Sequence, residues 1–257
     1  MNQPKPTSSK PKTKLMTVTN PPSDERQPRE QTIVEFFDHL GDQYDLAISR
    51  CVPRYHEMLD QMIGFLSKKN PIARILELGC GSGNLTQKLI DQYPAAEIVS
   101  VDASPKMISI VEAKFRQKPN VIFLESLFQD LQFASSSFDL ITSSISIHHL
   151  KDSEKLKLFR NISGWLAPQG LFSFCDQFRG ETEELYGSHL QFWQTEALKM
   201  GATQSEWETW MEHQRVHDFH ASLQCHVDLL KDAGFKIVDC TRRHLLWTTL
   251  VAFGQPT

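Results

Sequence analysis

The sequence predicts an α/β chain built on a doubly wound, mostly parallel sheet of seven strands, with helices ahead of the first strand and a helical insertion ahead of the last two. Three observations predict it. An apolar run, Ala73–Leu78, stops at glycines spaced two apart (Gly79-Cys80-Gly81-Ser82-Gly83) and restarts as the amphipathic segment Leu85–Tyr93. That order reads as a strand buried on both faces, a tight turn and a helix. Strand-like and helix-like runs then alternate as far as Cys175, which implies parallel strands joined by right-handed crossovers. Finally, the alternation breaks between Glu181 and Lys231 before two closing strand-like runs, Phe235–Thr241 and Leu245–Phe253.

With 257 residues, 40% of them hydrophobic, the chain can bury one sizeable core. Residues 29–257 are therefore read as a single domain, with 29–70 as an N-terminal helical cap. The formal charge of −4 supplies no general basic field, so nucleic acid is not the expected partner. Five scattered cysteines without a C-x-x-C pair argue against a disulfide framework and a zinc knuckle. Reduced thiols suit a cytoplasmic protein, and no apolar run has the length of a membrane span.

Residues 1–28, rich in Pro, Lys, Ser and Thr, read as a disordered tail. Lys5, Lys10, Lys12 and Lys14, with no acid before Asp24, leave open a targeting or RNA-touching arm. Ile33, Val34, Phe36, Phe37 and Leu40 then mark a helix face ending near Gly41, and a second helix is expected over His56–Leu66. These helices read either as a lid, with Tyr44 and Tyr55 offering aromatic faces to a substrate, or as cover for a sheet edge. Ser82 or Asn84 suits the N-cap of the helix after the glycines.

The second strand, Glu97–Asp102, ends in an acid placed to accept both hydroxyls of a ribose; its alternative use is to cap the helix from Pro105, for which Ser104 is better placed. The G-x-G-x-G spacing differs from the fingerprint that seats a pyrophosphate, so the ligand is expected to be nucleoside-like without a phosphate. Further strands are expected at Asn120–Leu124, Phe138–Ser143 and Gly170–Cys175, with a helix over Ser153–Trp165. Ligands of such sheets sit beyond the carboxyl ends of the strands, where the order reverses. That gathers the glycine turn, Asp102, the Glu125–Asp130 loop, the Ser143–His149 segment and Asp176 around one crevice.

The insertion is rich in Trp193, Trp207, Trp210, His213, His217, His220 and His226, which line an acceptor pocket or form a satellite core. His213, His217 and His220 fall at i, i+4 and i+7, on one helical face. One helix rarely supplies a whole metal site, so no metal is expected there.

Taken together, Glu77-Leu78-Gly79-Cys80-Gly81-Ser82-Gly83, Val101-Asp102-Ala103-Ser104-Pro105-Lys106-Met107, Phe138-Asp139-Leu140-Ile141, Ser146-Ile147-His148-His149-Leu150 and Leu166-Ala167-Pro168-Gln169-Gly170 resemble the class I S-adenosylmethionine-dependent methyltransferases. The resemblance covers roughly Ile33 to Gly254 and is nearest the type 11 and 25 small-molecule branch, including the Ala233-Gly234-Phe235 turn. It implies a Rossmann-like fold, S-adenosyl-L-methionine as cofactor and a small-molecule methyl acceptor bound by the 181–231 insertion. By resemblance, Gly79, Cys80, Gly81 and Gly83 would pass under the methionine and ribose, with Glu77 holding the turn. Asp102 would accept the ribose hydroxyls, and Ala103 and Met107 would lie against adenine.

The acid that often reads the adenine amino group falls on Leu127 here, leaving Ser126, Phe128 or Gln129 for that task; Ser143 completes the cofactor set. His148 and His149 are the expected bases, with the alternative that one packs and the other caps a turn; Asp176 is a further catalytic candidate. Tyr44, Tyr55, Trp193 and His217 are the expected acceptor contacts. The rival readings are a tRNA-modifying or cofactor-remodelling relative, suggested by Arg50-Cys51-Val52-Pro53-Arg54-Tyr55, and a non-catalytic cofactor-binding scaffold. A nicotinamide-dependent dehydrogenase disagrees with the glycine spacing.

Overall fold

The computed structural model describes residues 28–66 and 72–254. The expected tail, apart from Pro28, lies outside the described residues. Pro28 itself opens helix α1 (Pro28–Leu40), as proline's fixed φ and missing N–H permit in a first turn. A short 3-10 turn leads to α2 (Tyr44–Cys51), and α3 (Tyr55–Leu66) follows. The sequence reading found α1 and α3 but not α2. Its signal was present, because Tyr44, Ile48 and Cys51 fall on one helical face, but eight residues hold only about two turns of periodicity.

The sheet contains seven strands in the order β3-β2-β1-β4-β5-β7-β6. They are β1 (Arg74–Leu78), β2 (Glu97–Asp102), β3 (Val121–Glu125), β4 (Phe138–Ser144), β5 (Leu166–Gln177), β6 (Ile237–His244) and β7 (Trp247–Phe253). Strands β1 to β5 run parallel, whereas β7 is antiparallel to both β5 and β6. The crossovers are α4 (Asn84–Gln92), α5 (Pro105–Lys114) and α6 (Asp152–Trp165), and the insertion is three helices, α7 (Glu183–Lys199), α8 (Gln204–His217) and α9 (Leu223–Asp232). The order reverses between β1 and β4, which are direct neighbours with Ile75 opposite Leu140.

Alternation along the central strands builds two cores. Ile75, Ile98, Leu140 and Leu171 join one cluster with side chains of α2, α3, α4, α5, α7 and α8; Leu76, Val99, Ile141 and Phe172 join another with α6 and α9. Glu77 and Ser100, one residue on from Leu76 and Val99, therefore turn toward the first face, and both are fully buried. Strand β5 is longer than its apolar centre predicts, because Leu166 already pairs with Phe138 ahead of a register shift. Among the described residues, no helix is long and apolar enough to cross a membrane, and the five cysteines are free thiols.

Candidate active site

The glycine turn is set by its backbone. Gly79, Gly81 and Gly83 all have positive φ (74°, 52° and 84°), a region closed to most side chains. At Gly79 a Cβ would lie 2.5 Å from the side chain of Ser146, so the turn and the segment after β4 approach too closely for any other residue. The Gly79 and Cys80 amides donate to Val101 O at 2.8 and 2.9 Å, tying the turn to β2. Gly83, in the left-handed conformation, is the N-cap of α4 in place of Ser82 or Asn84. Those two polar side chains instead donate to Asp45 of α2, Asn84 at 2.8 Å, which clips α2 over the turn.

Beyond the carboxyl ends of β1, β2 and β4 lies a cavity walled on one side by Gly79, Cys80, Gly81, Asp102 and Ala103. Met107, Leu127 and Phe128 add apolar lining, and Tyr44, Tyr55 and His149 add aromatic rings. Asp102 accepts the Gly81 amide through Oδ2 at 2.8 Å and the Ser104 amide through Oδ1 at 2.9 Å. Burial raises its pKa, against these backbone bonds and the Ala103 amide. Ser104 caps α5, its hydroxyl accepting from Met107 N at 3.0 Å.

Helix α1, read from sequence as a lid or as cover for a sheet edge, lines the cavity through Arg29, Glu30, Ile33, Val34 and Phe37, none of which stood among the expected site residues. Asp38 accepts from the Ser104 hydroxyl at 2.5 Å, and Arg29 pairs with Glu154 of α6 at 3.0 Å, so α1 is moored at both ends. Ser144, Ile145 and Ser146, at the end of β4 and just beyond it, line the cavity as part of the Ser143–His149 segment expected around the crevice. Ile145 has φ 53°, a strained value for a β-branched residue that sequence patterns do not reveal.

Several expected site residues lie elsewhere. Glu77 is fully buried behind the turn, accepting from the Thr86 and Ser100 hydroxyls at 2.7 Å each, and burial pushes its carboxyl up to about 7. Ser126 donates to Leu127 O at 3.0 Å, and Ser143 donates to Leu78 O at 2.8 Å while its oxygen lies 2.7 Å from the Ser146 hydroxyl. Trp193 is a core residue, with its indole donating to Cys51 O, because α7 packs its aromatic face inward. His217 lies beside His213, their rings tilted by 42°, and lines a separate hollow with Phe36 and Glu208. None of these six residues, counting Gly83, is among the described residues that line the cavity.

The histidines form a buried group of their own. His148 is held through Nδ1 by Asp176 Oδ1 at 2.5 Å, while the other oxygen of Asp176 accepts the Ile147 and His148 amides. Neither His148 nor Asp176 is among the described cavity-lining residues, whereas His149 is. Burial lowers the His149 pKa, reinforced by the charge of His148, against the pull of Asp218. For His148 burial acts downward too, but Asp176 and Asp218 together hold it above the ordinary imidazole value.

Fold and cavity define the class: a doubly wound α/β protein with its ligand cavity over the switch point of the sheet. A family profile described as a methyltransferase domain matches residues 75–170. An uncharacterised methyltransferase of Synechocystis is 30% identical over 176 residues, 68% of this chain and 71% of the relative. A carboxy-S-adenosyl-L-methionine synthase of Nautilia profundicola is 24% identical over 226 residues, 85% of this chain and 94% of the relative. Phosphoethanolamine N-methyltransferase 2 of Haemonchus contortus, solved with S-adenosyl-L-methionine, shares the fold with TM-score 0.63 at 16% identity; the match covers 84% of this chain and spans 46% of that structure's length. The chain belongs to the class I S-adenosylmethionine-dependent methyltransferases, and S-adenosylmethionine is its cofactor.

The residues present fit that cofactor. The cavity combines a glycine turn, a carboxylate at the end of β2 and apolar lining, and among its described lining residues the one Lys or Arg is Arg29, which is paired with Glu154. Such a surface suits a ribose and an aromatic base better than a phosphate chain.

Proposed function

We propose that the protein transfers the methyl group of S-adenosylmethionine to a small-molecule acceptor. The observation that carries this reading is one cavity running from Asp102 and the glycine turn to His149 and the two tyrosines. When bound, the cofactor supplies an electrophilic methyl group on a sulfonium. In this reading Asp102 takes the ribose hydroxyls, Gly79 and Gly81 let the ligand approach the backbone, and Met107, Leu127 and Phe128 cover adenine. Tyr44 and Tyr55, whose pKa values burial raises, keep their protons and present neutral hydroxyls to the acceptor end. His149, neutral because burial lowers its pKa, is placed to take an acceptor proton, and Asp176 orients the adjoining His148. Alignment of acceptor and methyl group supplies the remaining acceleration, with no protein nucleophile.

Asp102→Ala is expected to weaken binding of S-adenosylhomocysteine by about 1–3 kcal/mol, roughly 5- to 150-fold, through lost charge-assisted hydrogen bonds. Isothermal titration measures it, and unchanged affinity in a folded variant removes Asp102 from the ribose role. The match to a carboxy-S-adenosyl-L-methionine synthase over 94% of that relative's length supports a second reading, in which the cofactor itself is remodelled. Incubating the protein with S-adenosylmethionine and a metabolite extract, followed by mass spectrometry, separates the two. A methylated acceptor with S-adenosylhomocysteine favours transfer, whereas a carboxylated cofactor favours remodelling.

A further inference from the structure

We propose that His148, His149 and Asp218, with His213 and His220 beside them, form a binding site for one divalent transition-metal ion next to the cofactor cavity. The site is assembled from two distant stretches. His148 and His149 follow β4, and Asp218 and His220 follow α8, the two joined by the Phe219 amide donating to His148 O at 2.7 Å.

The imidazole nitrogens converge on the Asp218 carboxylate at distances close to those between ligands of one ion. Around Asp218, Oδ1 lies 3.1 Å from His149 Nδ1, 3.7 Å from His148 Nε2 and 3.8 Å from His213 Nε2, and Oδ2 lies 3.3 Å from His220 Nε2. Four ligand atoms held tetrahedrally at about 2.0–2.1 Å from a zinc ion are about 3.3 Å apart. One ligand atom each from His148, His149 and Asp218 lies within 4.8 Å of the others. A core built only for packing would leave these groups fully hydrogen-bonded; instead His149 Nε2 and both ring nitrogens of His213 are buried without a hydrogen-bond partner, and His149 and His220 meet only the shared Asp218 carboxylate at 3.1 and 3.3 Å. Such orphaned atoms are costly unless another species satisfies them.

The outer atoms are tied down as they are around metal-ligating imidazoles. Asp176 holds His148 Nδ1, which turns Nε2 toward Asp218. Tyr186 Oη lies 2.7 Å from His220 Nδ1, turning its Nε2 the same way. Imidazole and carboxylate donors together suit zinc and ferrous iron rather than calcium or magnesium. The expectation of no metal considered only histidines of one helix. In the structure α8 ends at His217, so Asp218 and His220 leave the helix and meet the pair after β4.

His149 is both a wall of the cofactor cavity and a member of this set, so an ion bound there occupies the lone pair that proton removal by His149 would use. The metal site stands on its own geometry, and its test is separable from that of the methyltransferase reading. Full-length protein is stripped with chelator and titrated with zinc alone, with cobalt substitution read by visible absorption and S-adenosylhomocysteine binding measured on the same sample. Expected are about one equivalent of zinc retained through dialysis, cobalt bands of a nitrogen- and oxygen-ligated ion, and at least about tenfold weaker zinc binding in Asp218→Ala and in His148→Ala. His217→Ala, outside the set, is expected to bind as wild type. Absence of a retained equivalent and of cobalt bands in stripped wild-type protein that binds S-adenosylhomocysteine overturns the proposal without reference to any variant. Zinc binding that is unchanged in folded Asp218→Ala overturns it as well.

Discussion

Trp193→Ala is expected to lower stability by about 3–5 kcal/mol, the range for emptying a large aromatic from a core. Trp193 is 2% exposed and meets Trp207 and Trp247 edge to face, with centroids 4.8 and 5.5 Å apart. For a chain of this size the corresponding fall in melting temperature is about 6–20 °C. The affinity of the folded variant for S-adenosylhomocysteine should match wild type, since Trp193 is not among the described residues of the cavity. Trp193→Phe, which keeps a ring but loses the bond to Cys51 O, should fall between the two. A Trp193→Ala protein of normal stability with a raised acceptor KM would return the residue to the acceptor pocket.

The second large effect concerns pH. Glu77 is fully buried, Oε1 has no hydrogen-bond partner, and burial pushes its carboxyl from 4.5 up to about 7. Between those values the folded chain keeps the proton and the unfolded chain has released it. The stabilisation is therefore complete below the unfolded value and is lost as pH rises through about 7. Its full size is about 3 kcal/mol, the shift converted at about 1.4 kcal/mol per pKa unit. Urea unfolding at about pH 5 and about pH 8 should show Glu77→Gln losing less stability over that interval than wild type, by up to this amount. Equal losses in the two proteins would mean that Glu77 is ionised in the folded state.

The sheet was legible because its signals are local. Apolar runs such as Ile75–Leu78 and Val99–Val101 lie beside their turns, and Asp102 ends its strand at a spacing set by one βαβ unit. The same locality accounts for the cavity positions read from sequence: Gly79, Gly81, Asp102 and Met107 sit within a turn of those strand ends. Residues whose place depends on packing were harder. Trp193 and His217 carry the composition of a binding surface, yet helix orientation sends one into the core and the other to a separate hollow. Glu77 and Ser143 share strands with the site but point away from it, a consequence of the two-residue period that sequence proximity overrides. Arg29, Phe37 and Asp218 enter their groups only through long-range docking of α1 and of the segment after α8.

That last segment also limits how the molecule can be re-engineered. Phe219 is bonded through its amide to His148 and through its carbonyl to the buried ammonium of Lys155, while Arg179 and Ser222 form an isolated parallel bridge. The first two inserted helices are thus stitched into the scaffold by main chain at their exit toward α9, not hung on it as a detachable cassette. Chimeras that exchange acceptor-binding segments between relatives should therefore carry their junctions beyond Ser222, or exchange the stretch after β4 along with the insertion. A graft cut at Asp218 would separate halves of a single buried cluster and be expected to express as insoluble protein.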